Sequence, residues 1–205
     1  KLDDFSTDLE YDAEVFANKE SHSKASKIIP WKPSQLLKPM LATAATKIFN
    51  DPEWIYEIKW DGYRVITQIK DGKVSLYSRN GISYNQKFKP ITDELASIPH
   101  DVILDGEMVI LNEDGVSDFE KLQNYDSKNS NERLRYYVFD ILFLNGHDMH
   151  QLPLSERKSI LPDVLEGLKQ IVYCDHVEDM GTTFYNRAIE AGLEGVIANK
   201  KDSLY

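Results

Sequence analysis

The sequence predicts an α+β domain in which antiparallel-rich sheets flank a cleft, with helices outside. Two observations predict it. Asp61-Gly62, Asp71-Gly72 and Asn80-Gly81 each fall beside runs of β-branched or alternating apolar residues, the pattern of strands joined by tight turns. Helical periodicity then interrupts the strands instead of alternating with them, so hairpins and helices are mixed along the chain.

In order, Trp54-Ile55-Tyr56 and Val65-Ile66 are β-formers on either side of Asp61-Gly62. The octet Glu57-Ile58-Lys59-Trp60-Asp61-Gly62-Tyr63-Arg64 therefore reads as a strand, a sharp turn and a second strand. A plain β-hairpin with a surface lysine and arginine satisfies the same spacing. Residues 63–70 and 73–79 alternate around Asp71-Gly72 and form a hairpin. Pro90 to Ile98 is a helix, with Ile91, Leu95 and Ile98 on one face. Residues 102–111 form a strand broken by Asp105-Gly106. Glycine inside a strand signals a bulge or a close backbone approach, and Asp105 and Glu107 in so apolar a run require a reason. Asp118 to Tyr125 is a short helix capped by Asp118 or Ser117. Residues 127–132 form a polar loop, and 134–144 the strongest strand, carrying Asp140. Ser155 to Leu168 is helical, with Pro162 ending or kinking it at Leu161. Ile171 to Val177 is a strand, Thr182 to Ala191 a helix closed by Gly192, and Glu194 to Ala198 a last strand.

The 205 residues suffice for one well-filled domain, or a domain plus an extension, and 41% hydrophobic content with 11% aromatics indicates a folded core. No run approaches the ~18 apolar residues of a membrane span. Cys174 is the sole cysteine, which excludes an internal disulfide and fits a buried strand position in a reducing compartment. Residues 1–20 hold seven acids and two lysines, half of the net charge of −10. With Pro30, Pro33 and weak periodicity, residues 1–35 read as an acidic flexible arm or interdomain linker. Residues 36–205 are the domain proper, and Pro39 to Ala42 is expected to pack at its start. A chain that opens on Lys1 reads as a piece of something longer. Composition argues against nucleic acid, because phosphate binding normally shows as a basic excess.

Lys59 with Arg64, Glu107 and Glu194 invite assembly into one site. A lysine amine is a nucleophile once its neutral form is favoured. Arg64 offers a planar fork for ribose or phosphate oxygens. Two carboxylates can hold a hard divalent ion against a phosphate.

Lys59-Trp60-Asp61-Gly62-Tyr63-Arg64 resembles the KxDGxR signature of covalent nucleotidyltransferases. Ser78 to Gly81, Leu104 to Glu107, Tyr137 to Leu142 and Glu194 to Ala198 resemble the following motifs, in order. With Lys38 to Ala42 upstream, the wording is most similar to the ligase domain of bacterial multidomain end-joining repair ligases. The resemblance implies an ATP-grasp-like nucleotidyltransferase fold and the adenylation step of an ATP-dependent DNA ligase. Lys59 would attack ATP and carry AMP, which would pass to the 5′-phosphate of nicked double-stranded DNA before sealing. Glu57 and the Ile58 backbone would read adenine, Phe139 would stack on it, and Arg64 would bind ribose. Arg79 would contact the nucleotide or the nick phosphate, Glu107 ribose or metal, and Glu194 the metal, Mg²⁺ or Mn²⁺. Cytoplasmic, nucleoid-associated work in a bacterium follows, with end-binding repair proteins as possible partners. The usual lysine of the fourth motif is Asn199 here, followed by Lys200 and Lys201 as candidate substitutes. The chain stops before the fifth motif and the oligonucleotide-binding domain, so slow adenylation and poor sealing are expected of it alone. A capping-type guanylyltransferase, an RNA ligase and a non-catalytic nucleotide-binding module remain as alternatives.

Overall fold

The computed structural model describes residues 37–128 and 132–205. The expected arm at 1–35 and the middle of the 127–132 loop lie outside the described residues.

Thirteen elements follow one another in these residues: β1 (Trp54–Ile58), β2 (Tyr63–Lys70), β3 (Lys73–Ser78), α1 (Lys89–Leu95), β4 (Val102–Leu111), α2 (Phe119–Gln123), β5 (Arg133–Leu144), β6 (His147–Asp148), α3 (Leu154–Val164), β7 (Ile171–Tyr173), β8 (His176–Glu178), α4 (Gly181–Glu190) and β9 (Val196–Lys200). They build two sheets. The smaller has the order β8-β1-β9; the larger runs β3-β2-β4-β5-β6, with β7 alongside β5. Every pairing is antiparallel except β5 with β7. The expected α+β architecture is therefore present.

One face of the larger sheet carries the main core. Val65, Leu76, Leu104, Met108 and Val138 meet Ile91 and Leu95 of α1, Leu122 of α2 and Leu161 of α3. The opposite face has a smaller cluster around Ile66, Ile103 and Leu142, against which Leu37 and Tyr205 pack. Asp118 caps α2 by accepting a hydrogen bond from the Lys121 N–H at 3.0 Å.

The octet is not a hairpin. β1 lies at the centre of the smaller sheet and β2 inside the larger one, so residues 59–62 carry the chain from one sheet to the other. The expected strand 171–177 behaves likewise. It splits into β7 and β8, and Cys174-Asp175 crosses back between the sheets. The two strands of the octet are present, but its plain-hairpin alternative and the single strand at 171–177 fail for one reason: β-propensity marks extended backbone but does not say which sheet receives it. Cys174 is buried as expected, yet it stands at this crossing, where its N–H donates to the Val138 carbonyl at 2.8 Å.

Pro162 does not end α3, which runs on to Val164. The missing N–H removes one helical bond, while Leu161 and Val164 remain buried in the main core and hold the last turn in place. Met40, Leu41 and Ala42 are exposed rather than packed away; only Pro39 of that stretch is buried.

Gly106 marks a register shift between β4 and β5, as its place in a strand implied. A Cβ there would lie 2.4 Å from the Tyr137 carbonyl oxygen and 2.7 Å from the Tyr136 ring. Backbone and a fully buried ring cannot yield cheaply. Gly106→Ala is therefore expected to destabilise the domain by about 1–3 kcal/mol, read as a lower midpoint in urea unfolding.

Candidate active site

The two crossings leave a cleft of about 380 Å³ between the sheets, within the size range of small-molecule sites. Glu57, Ile58 and Asn199 line it from the smaller sheet; Arg64, Glu107 and Phe139 line it from the larger. Lys59 to Gly62 bridge the two walls, Met40 to Ala42 edge the cleft, and Glu194 precedes β9.

Lys59 follows the last residue of β1, and its N–H is anchored to the Gly195 carbonyl at 3.0 Å. Its ammonium pairs with the Glu194 carboxylate in the cleft. Trp60, next in sequence, stacks on Tyr137 with ring centroids 3.9 Å apart. Gly62 lets the turn approach β4: a Cβ there would lie 2.2 Å from the Met108 carbonyl oxygen. The Lys59 loop is thus fastened on both sides.

Arg64 forms a bidentate pair with Asp105, at 2.5 and 2.7 Å, and its guanidinium lies 4.4 Å over the Phe139 ring. Asp105 is fully buried and also accepts from the Tyr205 hydroxyl at 2.6 Å. This explains the first acid in the β4 run. Glu107 explains itself differently. Among the described residues it has no hydrogen-bonded or ion-paired partner, and burial pushes its carboxyl up to about 8, against partial opposition from Arg64 and Lys59.

No three His, Cys, Asp or Glu side chains converge into a metal group among the described residues. Two carboxylates, Glu107 and Glu194, do face the cleft. That donor set fits a hard divalent ion held jointly with phosphate oxygens.

Of the sequence-predicted residues, Glu57, Ile58, Lys59, Arg64, Glu107, Phe139 and Glu194 all line the cleft. Arg79 does not. It is exposed in the turn after β3. Neither Lys200 nor Lys201 takes the place of Asn199 in the cleft: Lys200 lies 5.9 Å from the Trp54 ring centroid, and Lys201 pairs with Glu178 at 2.5 Å. Asn199 itself donates to Glu57 Oε2 at 3.0 Å.

Sequence reasoning missed Arg157 and Lys158, each only 1% exposed. Arg157 grips Asp140 of β5 at 2.7 and 3.0 Å, and Lys158 pairs with Glu57 of β1 at 2.6 Å. Burial opposes charge on Lys158, but the adjacent Glu57 carboxylate outweighs it and holds the ammonium above the usual lysine range. Two neighbouring cations thus bind α3 to opposite walls of the cleft. The signal was present: Leu154, Arg157, Lys158 and Leu161 recur at helical spacing, so the buried face of α3 had to include both cations.

The multifunctional non-homologous end joining protein LigD of Mycolicibacterium smegmatis is 36% identical over 171 residues, covering 82% of this chain and 22% of that protein. The ligase domain of M. tuberculosis LigD superposes with a TM-score of 0.73 at 31% identity. A mycobacterial DNA ligase D complexed with ATP and MES superposes at 0.70, also at 31% identity. Each solved structure aligns over 82% of this chain and 56% of its own. The profile of the ATP dependent DNA ligase domain matches residues 39–205, and the chain belongs to that family.

Proposed function

We propose that this chain is the adenylation domain of an ATP-dependent DNA ligase in bacterial DNA repair. The observation that carries this reading is the convergence of Lys59, Arg64, Glu107, Phe139 and Glu194 on one cleft between the sheets. The ATP complex of the similar mycobacterial ligase supports the choice of nucleotide.

In this reading adenine stacks on Phe139 and meets Glu57 and the Ile58 backbone at its edge. An aromatic face against a base contributes roughly 1–3 kcal/mol. Arg64, pre-aligned by Asp105, donates to the ribose. The Lys59 amine attacks only when neutral, so its pair with Glu194 opens first. Its nitrogen then bonds to the α-phosphorus, the bond from that phosphorus to the bridging oxygen breaks, pyrophosphate leaves, and the amine proton passes to solvent. Glu107 and Glu194 would hold a Mg²⁺ or Mn²⁺ ion, which would supply positive charge to the phosphate oxygens. AMP then moves to the 5′-phosphate of nicked double-stranded DNA, and the 3′-hydroxyl displaces it to seal the strand. Arg79, away from the cleft, suits the nick phosphate better than the nucleotide. An oligonucleotide-binding domain, end-binding repair proteins and a nucleoid setting belong to the same proposal.

Incubation with ATP labelled at the α-phosphate, in the presence of Mg²⁺, is expected to place one acid-labile label on the wild-type protein and none on Lys59→Ala. An unlabelled wild type, or label persisting in that variant, overturns the assignment.

A further inference from the structure

Glu57 is buried at the centre of the smaller sheet, its backbone held by β8 on one side and β9 on the other. Its two carboxylate oxygens have separate holders. Lys158 Nζ donates to Oε1 at 2.6 Å, and Asn199 Nδ2 donates to Oε2 at 3.0 Å. Lys158 does more than pair. Its ammonium also donates to the Cys174 carbonyl at 3.0 Å and the Phe139 carbonyl at 3.3 Å. An ammonium has three donors, so these bonds exhaust it. It has none left for a ligand, and it does not line the cleft, whereas Glu57, Phe139 and Asn199 do.

The consequence is geometric. One buried ammonium binds both the Glu57 carboxylate on one sheet and the Phe139 backbone on the other. It therefore sets the spacing between an acceptor-only group and an aromatic face across the cleft. A carboxylate offers about four lone-pair sites, and only one on each oxygen is occupied here. The remainder can take N–H donors from a planar ring stacked on Phe139. A ring presenting a carbonyl at the same edge would set oxygen against oxygen in a dry site, leaving both unsatisfied.

We propose that Lys158 and Asn199 form a clamp that fixes Glu57 relative to Phe139 and thereby selects a 6-aminopurine over a 6-oxopurine. Both are positioning residues, and the proposal rests on the nucleotide reading of the cleft given above. The pair of buried cations on α3 gains a division of labour. Arg157 fastens the helix to the larger sheet through Asp140, and Lys158 uses that fixed platform to aim Glu57.

The test uses AMP and IMP, which differ at the 6-position and cannot transfer a nucleotidyl group. Calorimetric titration of the wild type is expected to favour AMP by roughly tenfold or more, since a site built to accept a hydrogen bond rejects the analogue lacking the donor. Asn199→Ala, which frees one oxygen, is expected to reduce the ratio by about threefold to tenfold, and Lys158→Met to bring it close to unity, with Lys158→Arg restoring most of it. Lys158→Met leaves Glu57 buried without its cation and can fail to fold. Asn199→Ala, which leaves the Glu57 carboxylate and its cation in place, therefore carries the test on its own, and the double variant Glu57→Gln/Lys158→Met, which removes the base-reading carboxylate itself, sets the ratio expected when selection is lost.

A wild-type ratio retained in folded Asn199→Ala overturns the clamp. So does a wild type that binds the two nucleotides equally or binds neither. Parallel labelling of Lys59 with ATP separates the two proposals. A base preference without covalent label leaves the clamp standing and removes nucleotidyl transfer; label without base preference removes only the clamp.

Discussion

Arg157→Met is expected to destabilise the domain by about 3–5 kcal/mol, the loss typical when one partner of a buried ion pair is removed. Arg157 is 1% exposed and spends four hydrogen bonds inside the protein. Two go to Asp140, one to the Leu152 carbonyl at 2.5 Å and one to the Ser203 carbonyl at 3.1 Å. Methionine fills most of the volume and satisfies none of them. The heavier penalty falls on Asp140, whose carboxyl burial already pushes up; Arg157 opposes that shift most strongly, by hydrogen bond and charge, and the Ile141 N–H donating at 2.8 Å supplies only a smaller share. At roughly 2–4 °C per kcal/mol for a domain of this size, the melting midpoint should drop by ~6–20 °C. The deficit should shrink on acidification, because a protonated Asp140 no longer presents an unpaired charge. Adding Asp140→Leu should recover much of the loss, as removing both members of a buried pair commonly does. A single variant melting within 2 °C of wild type (roughly 1 kcal/mol by the same conversion) contradicts the role given to Arg157.

Local features of this fold were legible because local chemistry decides them. Asp71-Gly72 forces a tight hairpin, and Gly106 admits a backbone approach that no other residue could tolerate. Lys59, Arg64, Glu107, Phe139 and Glu194 were legible as a set through the order of their motifs, and the cleft collects them. What stayed hidden was sheet membership. Alternation predicts that residues 54–58 and 63–70 are extended, and it is silent on whether the turn between them closes a hairpin or bridges two sheets. The bridge is the more consequential outcome, since it places Lys59 between the walls instead of on a surface loop.

The supporting layer was hidden for another reason. Helical spacing puts Arg157 and Lys158 on the buried face of α3, but lysine and arginine are almost never fully buried without partners, and no local signal names those partners. Their partners, Asp140 and Glu57, lie on different strands and well apart in sequence. Asp105 presented the same problem in reverse. Its place in an apolar strand demanded an explanation, but only the folded chain supplies Arg64 and Tyr205 as its partners. Asn199 looked like a defect in a motif. In the fold it is a donor to Glu57, and a lysine there would bring a second cation to a carboxylate that Lys158 already neutralises.

Glu107→Gln is expected to make the protein more stable at pH 8 and worse at adenylation. In the fold the Glu107 carboxyl is raised from 4.5 to about 8, chiefly by burial. For an acid shifted this way the folded state holds its proton where the unfolded chain has released it. The contribution to stability is therefore complete below about pH 4.5 and declines as pH rises toward 8. Glutamine never carries the charge, so it avoids that decline. The variant should match wild type near pH 5 and exceed it by about 1–3 kcal/mol near pH 8, the usual penalty of an unsatisfied buried group. Thermal melts at the two pH values measure the difference directly. An equal gain at both would mean that glutamine simply packs better. Adenylation should fall roughly tenfold or more, because a neutral amide is a weak ligand for a divalent ion. Adding Mg²⁺ together with ATP should then stabilise wild type more than the variant, since ligands that bind only the folded state raise its stability. A carboxylate kept desolvated and unpaired is a liability to the empty fold. On the adenylation reading proposed above it serves a cation or a ribose hydroxyl in the cleft, and if so the stability cost and that role should be lost together in one substitution.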